Sequence, residues 1–500
     1  MTMAPAGLQA PEFDIAVIGG GINGCGIARD AAGRGARVGL FEQGDLAQGT
    51  SSVSTKLIHG GLRYLEHREF ALVRESLEER ERLWAIAPHL IRPMRFVLPW
   101  VKGLRPRWLL RLGLFVYDHI GGRKALPPTR TIDLRRHQAG APLRPGFTTG
   151  FVYSDCRADD ARLVVLNARD AADRGAAIHT RCAVTGFARE GGAWRIETTT
   201  GTYRARALVN AAGPWVMQVQ ALSGATGGHR LRLVRGSHIV VPRLFDHGFA
   251  YFFQLPDGRI FFAIPYSGDF TLIGTTDRDH QGPLERIEPS SEEIAYLCEG
   301  ANRYFARTLS PADVVQSWAG VRPLVDDGSN RPEAATRGYL LELSDPAEGA
   351  PLLTVYGGKL TTYRQLAETA LDRLASRLGR LGPAWTAAAA LPGGDFPVDG
   401  VEALVARLRA NYSFLEESSA ERLAGAYGTL AFVVLGEATS LADCGEHFGH
   451  GLTARELDWL VTREWARTAD DVLSRRSRLG LRFDPAQRER LEAAVAERTR

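Results

Sequence analysis

The 500-residue sequence predicts a chain of mixed α/β and α+β class, with a discontinuous α/β domain, an antiparallel-sheet domain and an all-α domain at the C-terminus. Three observations indicate this class: a glycine-rich turn between two strand-like segments near the N-terminus, a strand-rich region from 231 to 344, and a charged helical region after LPGGDF at 391 to 396. An apolar content of 45% and a charged content of 24% are typical of a soluble globular chain with two or three domains.

The first element is a βαβ unit over residues 13 to 43, FDIAVIGGGINGCGIARDAAGRGARVGLFEQ. Its turn carries the pattern G-x-G-x-x-G at Gly19, Gly21 and Gly24, and Glu42 ends the second strand. Glycines let the backbone approach a pyrophosphate, the helix N-terminus faces that anion, and the acid can bind a ribose hydroxyl pair. The unit therefore predicts Rossmann-like dinucleotide binding rather than an ordinary glycine-rich turn. FAD or NAD is favoured over NADP, because a carboxylate repels a 2′-phosphate.

The later elements predict that this domain is assembled from distant pieces. A second α/β stretch runs from 151 to 187 and is followed by ALVNAAGPW at 207 to 215. Segments such as RGSHIVVP and FTLIGTTD then indicate an antiparallel sheet, and LLTVYGGKLTTYR at 352 to 364 returns to strand, glycine pair and helix. This order is typical of an interleaved flavoprotein. We expect a cofactor domain at 11–98, 150–230 and 350–388, a cap domain at 99–149 and 231–349, and a C-terminal helical domain at 389–500.

The stretch KLIHGGLRYLEH at 56 to 67 combines a histidine, two glycines, an arginine and a tyrosine with apolar residues. A helix would avoid the glycine pair, and an exposed loop would rarely contain so many leucines and isoleucines. We therefore expect another group to approach the backbone closely at this point.

Eight stretches distributed over nearly the whole chain resemble the aerobic, quinone-linked type of FAD-dependent glycerol-3-phosphate dehydrogenase. These stretches are GGGINGCG, TSSVSTKLIHGGLRYLEH, YSDCRADDARLV, VNAAGPW, RGSHIVVP, IGTTD, GVRPL and GGKLTTYR. The resemblance implies FAD, oxidation of sn-glycerol 3-phosphate to dihydroxyacetone phosphate by hydride transfer from C2 to flavin N5, and electron transfer to a membrane quinone. We expect the FAD to be noncovalent, because no residue of the dinucleotide motif marks a covalent attachment. The residues by themselves indicate only a flavin oxidoreductase with an anionic substrate.

The resemblance also implies the cofactor residues. The hydroxyl-rich run at 50 to 55 would follow the pyrophosphate, and KLIHGG would pass alongside the isoalloxazine, where side chains larger than glycine would collide with the ring. The expected FAD contacts are Gly19, Gly21, Asn23, Gly24, Glu42, Thr50, Ser51, Ser52, Lys56, His59, Gly60, Gly61, Val184, Ala211, Gly213, Gly358, Lys359, Leu360 and Thr361.

For the substrate, the resemblance implies phosphate binding by Arg63 and Arg337, with Tyr64 and Thr275 also in contact. A guanidinium can hold phosphate oxygens through two parallel hydrogen bonds, although an isolated arginine more often forms a surface salt bridge.

Oxidation of the alcohol requires a base near the hydroxyl, and the expected catalytic residues are His238, Arg322 and Lys359. His238 is the leading candidate for the base, although a histidine within a strand is more often structural. Arg322 would stabilise the developing alkoxide, and it competes for the assignment of the base.

A membrane contact is expected because a quinone resides in lipid. Residues 99 to 124 contain six basic residues and one acid among Trp, Leu and Phe, which fits an anionic lipid surface. The alternative is a basic cap surface with buried apolar residues, and the helices at 459 to 483 are a second candidate for membrane or subunit contacts. The expected location is cytoplasmic, on the inner face of the cell membrane, and a homodimer is left open.

Composition limits the competing classes. The net charge of +4 is too small for a general nucleic-acid surface. The five cysteines include no C-x-x-C motif, so they indicate neither a disulfide framework nor a zinc site, and a reducing compartment fits best. The first dozen residues predict a flexible tail rather than a signal peptide. The nearest rival is an oxidase that passes electrons to oxygen. A nucleic-acid-modifying flavoprotein and a cofactor-free binding module are the alternatives from other classes.

Overall fold

The computed structural model describes residues 12–122, 125–223, 229–326, 338–345, 349–379 and 381–500. The predicted N-terminal tail and Arg337 lie outside these residues. The described chain forms two large sheets and a C-terminal group of helices, which confirms the predicted fold class.

The first sheet has eight strands around a parallel core in the order β18, β10, β1, β2, β7. The central strand FDIAVI is buried along almost its whole length, because one face packs against α1, α4 and α7 and the other packs against side chains of β8 and β9. The strands are β1 Phe13–Ile18, β2 Val38–Phe41, β7 Ala177–His179, β8 Val184–Glu190, β9 Ala193–Thr198, β10 Gly201–Asn210, β17 Tyr339–Ser344 and β18 Leu352–Gly357.

The second sheet has ten strands and is mainly antiparallel, with one parallel pair between β4 and β12. Its aromatic and aliphatic side chains form the core of the cap. The strands are β3 Leu57–Ile58, β4 Ile91–Pro99, β5 Arg130–Asp133, β6 Thr149–Ala158, β11 Leu231–Pro242, β12 Ala250–Gln254, β13 Ile260–Tyr266, β14 Phe270–Gly274, β15 Arg278–Asp279 and β16 Gln316–Val325.

Seven helices precede the C-terminal domain within the described residues, and α1 packs against α4 and α7. No described helix combines the length and apolarity needed to cross a bilayer. These helices are α1 Ile22–Gly33, α2 Phe70–Ile86, α3 Arg107–Ile120, α4 Asp160–Asp173, α5 Val216–Ala221, α6 Ser291–Asn302 and α7 Tyr363–Leu378.

The C-terminal domain has a separate hydrophobic core made only of its own residues. A short ribbon of β19 His447–Gly449 and β20 Leu452–Thr453 accompanies its helices. The helices are α8 Val401–Asn411, α9 Glu417–Tyr427, α10 Ala431–Leu435, α11 Ala454–Glu464 and α12 Pro485–Arg498.

Three strands from segments assigned to the cofactor domain, β3, β4 and β6, lie in the other sheet. Strands β4 and β6 pair with each other along nine residue pairs and continue the sheet of the cap. Sequence patterns identify a strand but not its partners, so the expected boundaries at 98 and 150 did not follow the sheets. The domain division stays a proposal, with these three strands moved to the cap.

Candidate active site

A cavity of about 1030 Å³ lies where the carboxyl ends of the parallel strands meet the second sheet. The residues that follow four parallel strands line it: Gly19 after β1, Glu42 after β2, Ala211 after β10 and Gly358 after β18. This edge of an open parallel sheet is the usual place for a ligand in α/β proteins.

The glycine turn after β1 is shaped by close backbone contacts. Gly19 has φ +114°, and a Cβ atom there would lie 2.6 Å from the Ala211 carbonyl oxygen. A Cβ on Gly24 would lie 1.9 Å from the Gly19 carbonyl oxygen, so α1 can pack against this turn only with glycine at position 24. Gly24 therefore shapes the cavity without lining it, whereas Gly21 lines it directly.

Glu42 faces the cavity with its carboxylate held by the backbone. Its two oxygens accept hydrogen bonds from the amides of Gly20 and Gly44, both at 2.7 Å. Burial raises the pKa of Glu42, and the two amide donors oppose that shift. The carboxylate is therefore fixed in orientation at the end of β2, where it can accept hydrogen bonds from ribose hydroxyls.

The residues around the start of α1 fit a bound dinucleotide. The N-cap residue Gly21 provides no side-chain cap, and the Ile22 amide donates to the Ser51 hydroxyl at 3.0 Å. The Asn23 side-chain amide donates to the Gly357 carbonyl at 3.1 Å, while its buried Oδ1 has no hydrogen-bond partner among the described residues. A helix N-terminus that glycine residues allow a ligand to approach closely is suited to a diphosphate group.

The loop at 50 to 56 joins both sheets beside this helix. The Thr50 hydroxyl donates to the Val321 carbonyl at 2.6 Å, and Thr50 and Ser51 both line the cavity. The Lys56 ammonium instead donates to the Ser52 carbonyl at 2.7 Å and forms a buried ion pair with Asp160 at 3.0 Å. Neither Lys56 nor Ser52 lines the cavity. These two residues, which were predicted to contact FAD, instead stabilise the loop on the side away from the cavity.

The glycine pair in KLIHGG is explained by packing within the protein. A Cβ on Gly60 would lie 2.5 Å from Leu77 Cδ2, and the Gly60 amide donates to the Tyr117 hydroxyl at 2.8 Å. Gly61 has φ +75°, and a Cβ there would lie 2.1 Å from the Tyr64 ring. The collision that we expected with a flavin ring is therefore not needed to explain these glycines, and contact between Gly60 and the cofactor stays a prediction.

The other predicted cofactor residues line the same cavity. His59 lies between the turn and the start of α7, because its amide donates to the Thr361 hydroxyl at 3.4 Å. Gly358 has φ +101° and leaves room for the Asn23 side chain, which would lie 2.7 Å from a Cβ at that position. The lining includes His59, Gly61, Val184, Ala211, Gly213, Gly358, Lys359, Leu360 and Thr361.

Basic residues converge on the part of the cavity beside this turn. Arg63 and Tyr64 line it, and the Lys359 ammonium lies 4.1 Å from the centre of the Tyr64 ring. Arg63 is half-buried, and no ion pair joins it to a carboxylate within the described residues. This side chain is available to bind an anionic ligand.

Arg322 contributes a second guanidinium to the cavity wall. It forms an ion pair with Asp277 at 2.6 Å and donates to the Thr275 hydroxyl at 3.0 Å, and all three residues line the cavity. Asp277 was not among the predicted site residues. The signal for it was local, since it ends the quoted motif IGTTD, but its role depends on a partner 45 residues away.

His238 lies behind the cavity wall rather than in it. Its Nε2 is 2.9 Å from the Thr55 hydroxyl, and its ring stacks on Trp318 with 5.8 Å between the ring centres. Thr55 and Trp318 line the cavity, and both were missing from the predicted set. Burial, with further contributions from Arg322 and Lys56, lowers the pKa of His238 to about 3. The neutral imidazole is a weak base in this state, so its catalytic role stays a prediction.

Comparisons with known proteins identify the family of the chain. The family model for FAD-dependent oxidoreductases matches residues 14–364, and a model for the C-terminal domain of α-glycerophosphate oxidase matches residues 384–498. The glycerol-3-phosphate dehydrogenase of Pseudomonas aeruginosa is 52% identical over 97% of this chain and 96% of that protein. The aerobic glycerol-3-phosphate dehydrogenase of Escherichia coli is 47% identical over 97% and 98% of the two chains.

Two further relatives are relevant to the cofactor and the substrate. The D-erythritol 1-phosphate dehydrogenase of Brucella abortus is 50% identical over 96% of this chain and 97% of that protein. The structure of the glycerol-3-phosphate dehydrogenase from Bacillus halodurans complexed with FAD has a TM-score of 0.76 and 29% identity, and it covers 98% of this chain and 91% of that one. The chain therefore belongs to the family of FAD-dependent glycerol-3-phosphate dehydrogenases within the FAD-dependent oxidoreductases, and FAD is its cofactor.

Proposed function

We propose that the protein oxidises sn-glycerol 3-phosphate to dihydroxyacetone phosphate and passes the electrons to a membrane quinone. The observation that carries this proposal is the presence of Arg63, Arg322 and Lys359 in the same cavity as the dinucleotide turn. A small phosphorylated alcohol would offer an anion to these groups. Bound FAD supplies the hydride acceptor for the alcohol carbon.

Arg63 is proposed to bind the substrate phosphate, because it is a half-buried guanidinium in the cavity wall with no carboxylate ion pair among the described residues. Arg337 is proposed as its partner from the resemblance, outside the described residues. The Lys359 ammonium stacked on Tyr64 adds positive charge beside the same turn. Two or three donors of this kind can fix the orientation of a phosphate.

Arg322 is proposed to stabilise negative charge on the alcohol oxygen. Its ion pair with Asp277 and its hydrogen bond to Thr275 fix the guanidinium in orientation. Preorganised donors of this kind stabilise a developing oxyanion without moving during the reaction. We propose that the hydroxyl proton reaches His238 by way of the Thr55 hydroxyl, since the 2.9 Å contact between them links the cavity to the buried imidazole.

The decisive experiment is anaerobic mixing of the holoenzyme with sn-glycerol 3-phosphate while flavin absorbance is followed. Bleaching identifies the electron donor, and unphosphorylated glycerol serves as the control. D-Erythritol 1-phosphate is a second candidate donor, because a relative named for that substrate is 50% identical. Rapid bleaching by D-erythritol 1-phosphate without bleaching by sn-glycerol 3-phosphate would contradict the proposed substrate.

Replacement of Arg63 tests the phosphate assignment. Charge-assisted hydrogen bonds contribute about 1.5–3 kcal/mol, so Arg63→Ala should raise the KM for sn-glycerol 3-phosphate roughly 10- to 150-fold while FAD content is unchanged. The control is Arg74→Ala, which removes the same charge from an exposed position of α2 outside the cavity lining. Equal KM values for both variants would remove Arg63 from the phosphate site.

The surface of α3 supports a membrane contact. Of its 14 residues, Leu114 and Tyr117 are buried, whereas Trp108 is 68% exposed and Phe115 is 52% exposed. Exposed aromatic residues beside arginines suit the interface of an anionic bilayer. This contact would bring the protein to the inner face of the cell membrane, where a quinone can accept electrons.

Vesicle co-sedimentation tests this contact. Neutralising Lys102, Arg105, Arg107 and Arg111 should weaken binding to anionic vesicles, and high salt should do the same to the wild type, because charge attraction is screened within about 10 Å at 0.1 M. If the variant binds anionic vesicles as well as the wild type does and keeps its activity towards a soluble dye, the contact lies elsewhere.

The electron acceptor is tested after anaerobic reduction of the flavin. Faster reoxidation by oxygen than by quinone would favour an oxidase.

A further inference from the structure

Three arginines of the C-terminal domain, Arg475, Arg476 and Arg478, are directed into the protein. They lie within residues 459 to 483, for which membrane or subunit contacts were expected. Instead, Arg475 Nε lies 2.6 Å and Arg476 Nη2 lies 2.7 Å from the carboxylate of Asp45, which is 1% exposed. We call these three arginines the basic clamp.

The basic clamp reaches a second buried carboxylate. Arg478 Nη2 lies 2.6 Å from Asp160 Oδ1, and the same carboxylate accepts from the Lys56 ammonium at 3.0 Å and from the Ser54 hydroxyl at 2.7 Å. The side chain of Asp160 is fully buried. Both carboxylates are thus neutralised by cations from elsewhere in the chain, as buried charges require.

The two carboxylates hold the two loops that line the cofactor end of the cavity. Asp45 lies in the loop after Glu42, and its amide donates to the Gln48 side chain at 2.8 Å. Gly44, Gln48 and Gly49 of this loop line the cavity. Because Gly44 also donates to Glu42, the position of Asp45 bears directly on the orientation of the ribose-binding carboxylate.

Asp160 acts on the second loop through its neighbours. Ser54 itself lines the cavity, and Lys56 donates to the carbonyl of Ser52. The three residues between Ser52 and Lys56, which are Val53, Ser54 and Thr55, line the cavity beside Ser51. Arg478 therefore supports the loop that carries the hydroxyl groups at the start of α1.

A neighbouring buried ion pair joins the C-terminal domain to the rest of the chain without contacting a cavity loop. Arg162 of α4 and Glu464 of α11 join the same two parts of the chain, with both side chains fully buried and Arg162 Nη2 3.1 Å from Glu464 Oε1. Neither residue lines the cavity. This pair is therefore a matched reference for domain contact, because Glu464→Gln leaves in place the main-chain carbonyl of Glu464 that accepts from Arg476.

We propose that the basic clamp positions the two cofactor loops, so that the C-terminal domain controls how tightly FAD is held. The clamp residues are positioning residues, because they act through Asp45 and Asp160 and do not line the cavity. This inference concerns the cofactor and is independent of the identity of the substrate and of the electron acceptor.

The test compares Asp45→Asn with Glu464→Gln in the full-length holoenzyme. Each change neutralises one buried carboxylate opposite arginine, but only the first affects a cavity loop. FAD release is followed by the rise in flavin fluorescence after dilution, and the thermal midpoint of each apoprotein is recorded. We expect Asp45→Asn to release FAD at least about tenfold faster, a change of about 1.4 kcal/mol, and Glu464→Gln to release FAD at the wild-type rate.

Two results would overturn the proposal. FAD release at the wild-type rate from Asp45→Asn would show that the loop needs no clamp. Equal acceleration in both variants, in proportion to their loss of apoprotein stability, would show that domain docking alone is responsible. If Asp45→Asn does not fold, Arg478→Gln replaces it, since that side chain is 18% exposed, and FAD release at the wild-type rate from this variant would overturn the proposal equally.

Discussion

Replacement of Tyr117 by Phe should disturb the active site, although Tyr117 belongs to α3, a helix that does not line the cavity. The hydroxyl of this buried residue of α3 accepts a hydrogen bond from the Gly60 amide at 2.8 Å and donates to Asp155 Oδ2 at 2.8 Å. Gly60 precedes the left-handed Gly61, and that turn leads directly to Arg63. The hydroxyl thus fixes the start of the turn on which the proposed phosphate contact depends.

The magnitude follows from the groups that lose a partner. Without the hydroxyl, the Gly60 amide retains only a 3.4 Å contact with Asp155, whose carboxylate is still paired with Arg80 at 2.8 Å. An unsatisfied buried donor costs about 1–3 kcal/mol, so we expect a loss of stability of that order. If about 1.4 kcal/mol of it is expressed as displacement of Arg63, the KM for sn-glycerol 3-phosphate rises about tenfold.

The assay measures the thermal midpoint and the steady-state KM for Tyr117→Phe and for a matched control, Tyr251→Phe. The Tyr251 hydroxyl is also buried, donates to the Ala139 carbonyl at 2.6 Å and contacts His247 Nε2 at 2.9 Å. Unlike Gly60, neither of these partners adjoins a residue that lines the cavity. Both variants should lower the thermal midpoint, and only Tyr117→Phe should raise KM. Wild-type KM in Tyr117→Phe, or an equal rise in both variants, would refute the reasoning.

Three further predictions concern the cofactor turn and buried charge. Glu42→Ala should weaken FAD binding in a fluorescence titration, and an unchanged dissociation constant would remove Glu42 from the site. Gly24→Ala should yield protein with little bound FAD, because the added Cβ would lie 1.9 Å from the Gly19 carbonyl oxygen; full occupancy by absorbance would contradict this. Burial lowers the pKa of His89 to about 3, so only the unfolded chain binds a proton there between that pH and 6.5. The free energy of unfolding should therefore fall by about 1.4 kcal/mol per pH unit as the pH decreases through this window. The thermal midpoint of His89→Phe should fall less steeply with decreasing pH than that of the wild type.

The fold class and the cofactor turn could be predicted because their signals are local. Gly19, Gly21, Gly24 and Glu42 lie within 24 residues, and their order within one βαβ unit specifies a dinucleotide site. The strand-rich and helical regions are likewise visible as periodic patterns. The family resemblance then supplied the substrate, which no spacing of residues could provide.

What only the tertiary structure decided are the contacts between residues far apart in the chain. His238 is placed behind Thr55, which lies 183 residues away, and Arg476 is paired with Asp45 across 431 residues. The sequence determined by itself the βαβ unit of the cofactor turn, the strand-rich region and the charged helical region, since these patterns depend on neighbouring residues. It could not determine which buried charges neutralise one another or which side chains reach the cavity, because both depend on how the two sheets and the C-terminal domain pack together.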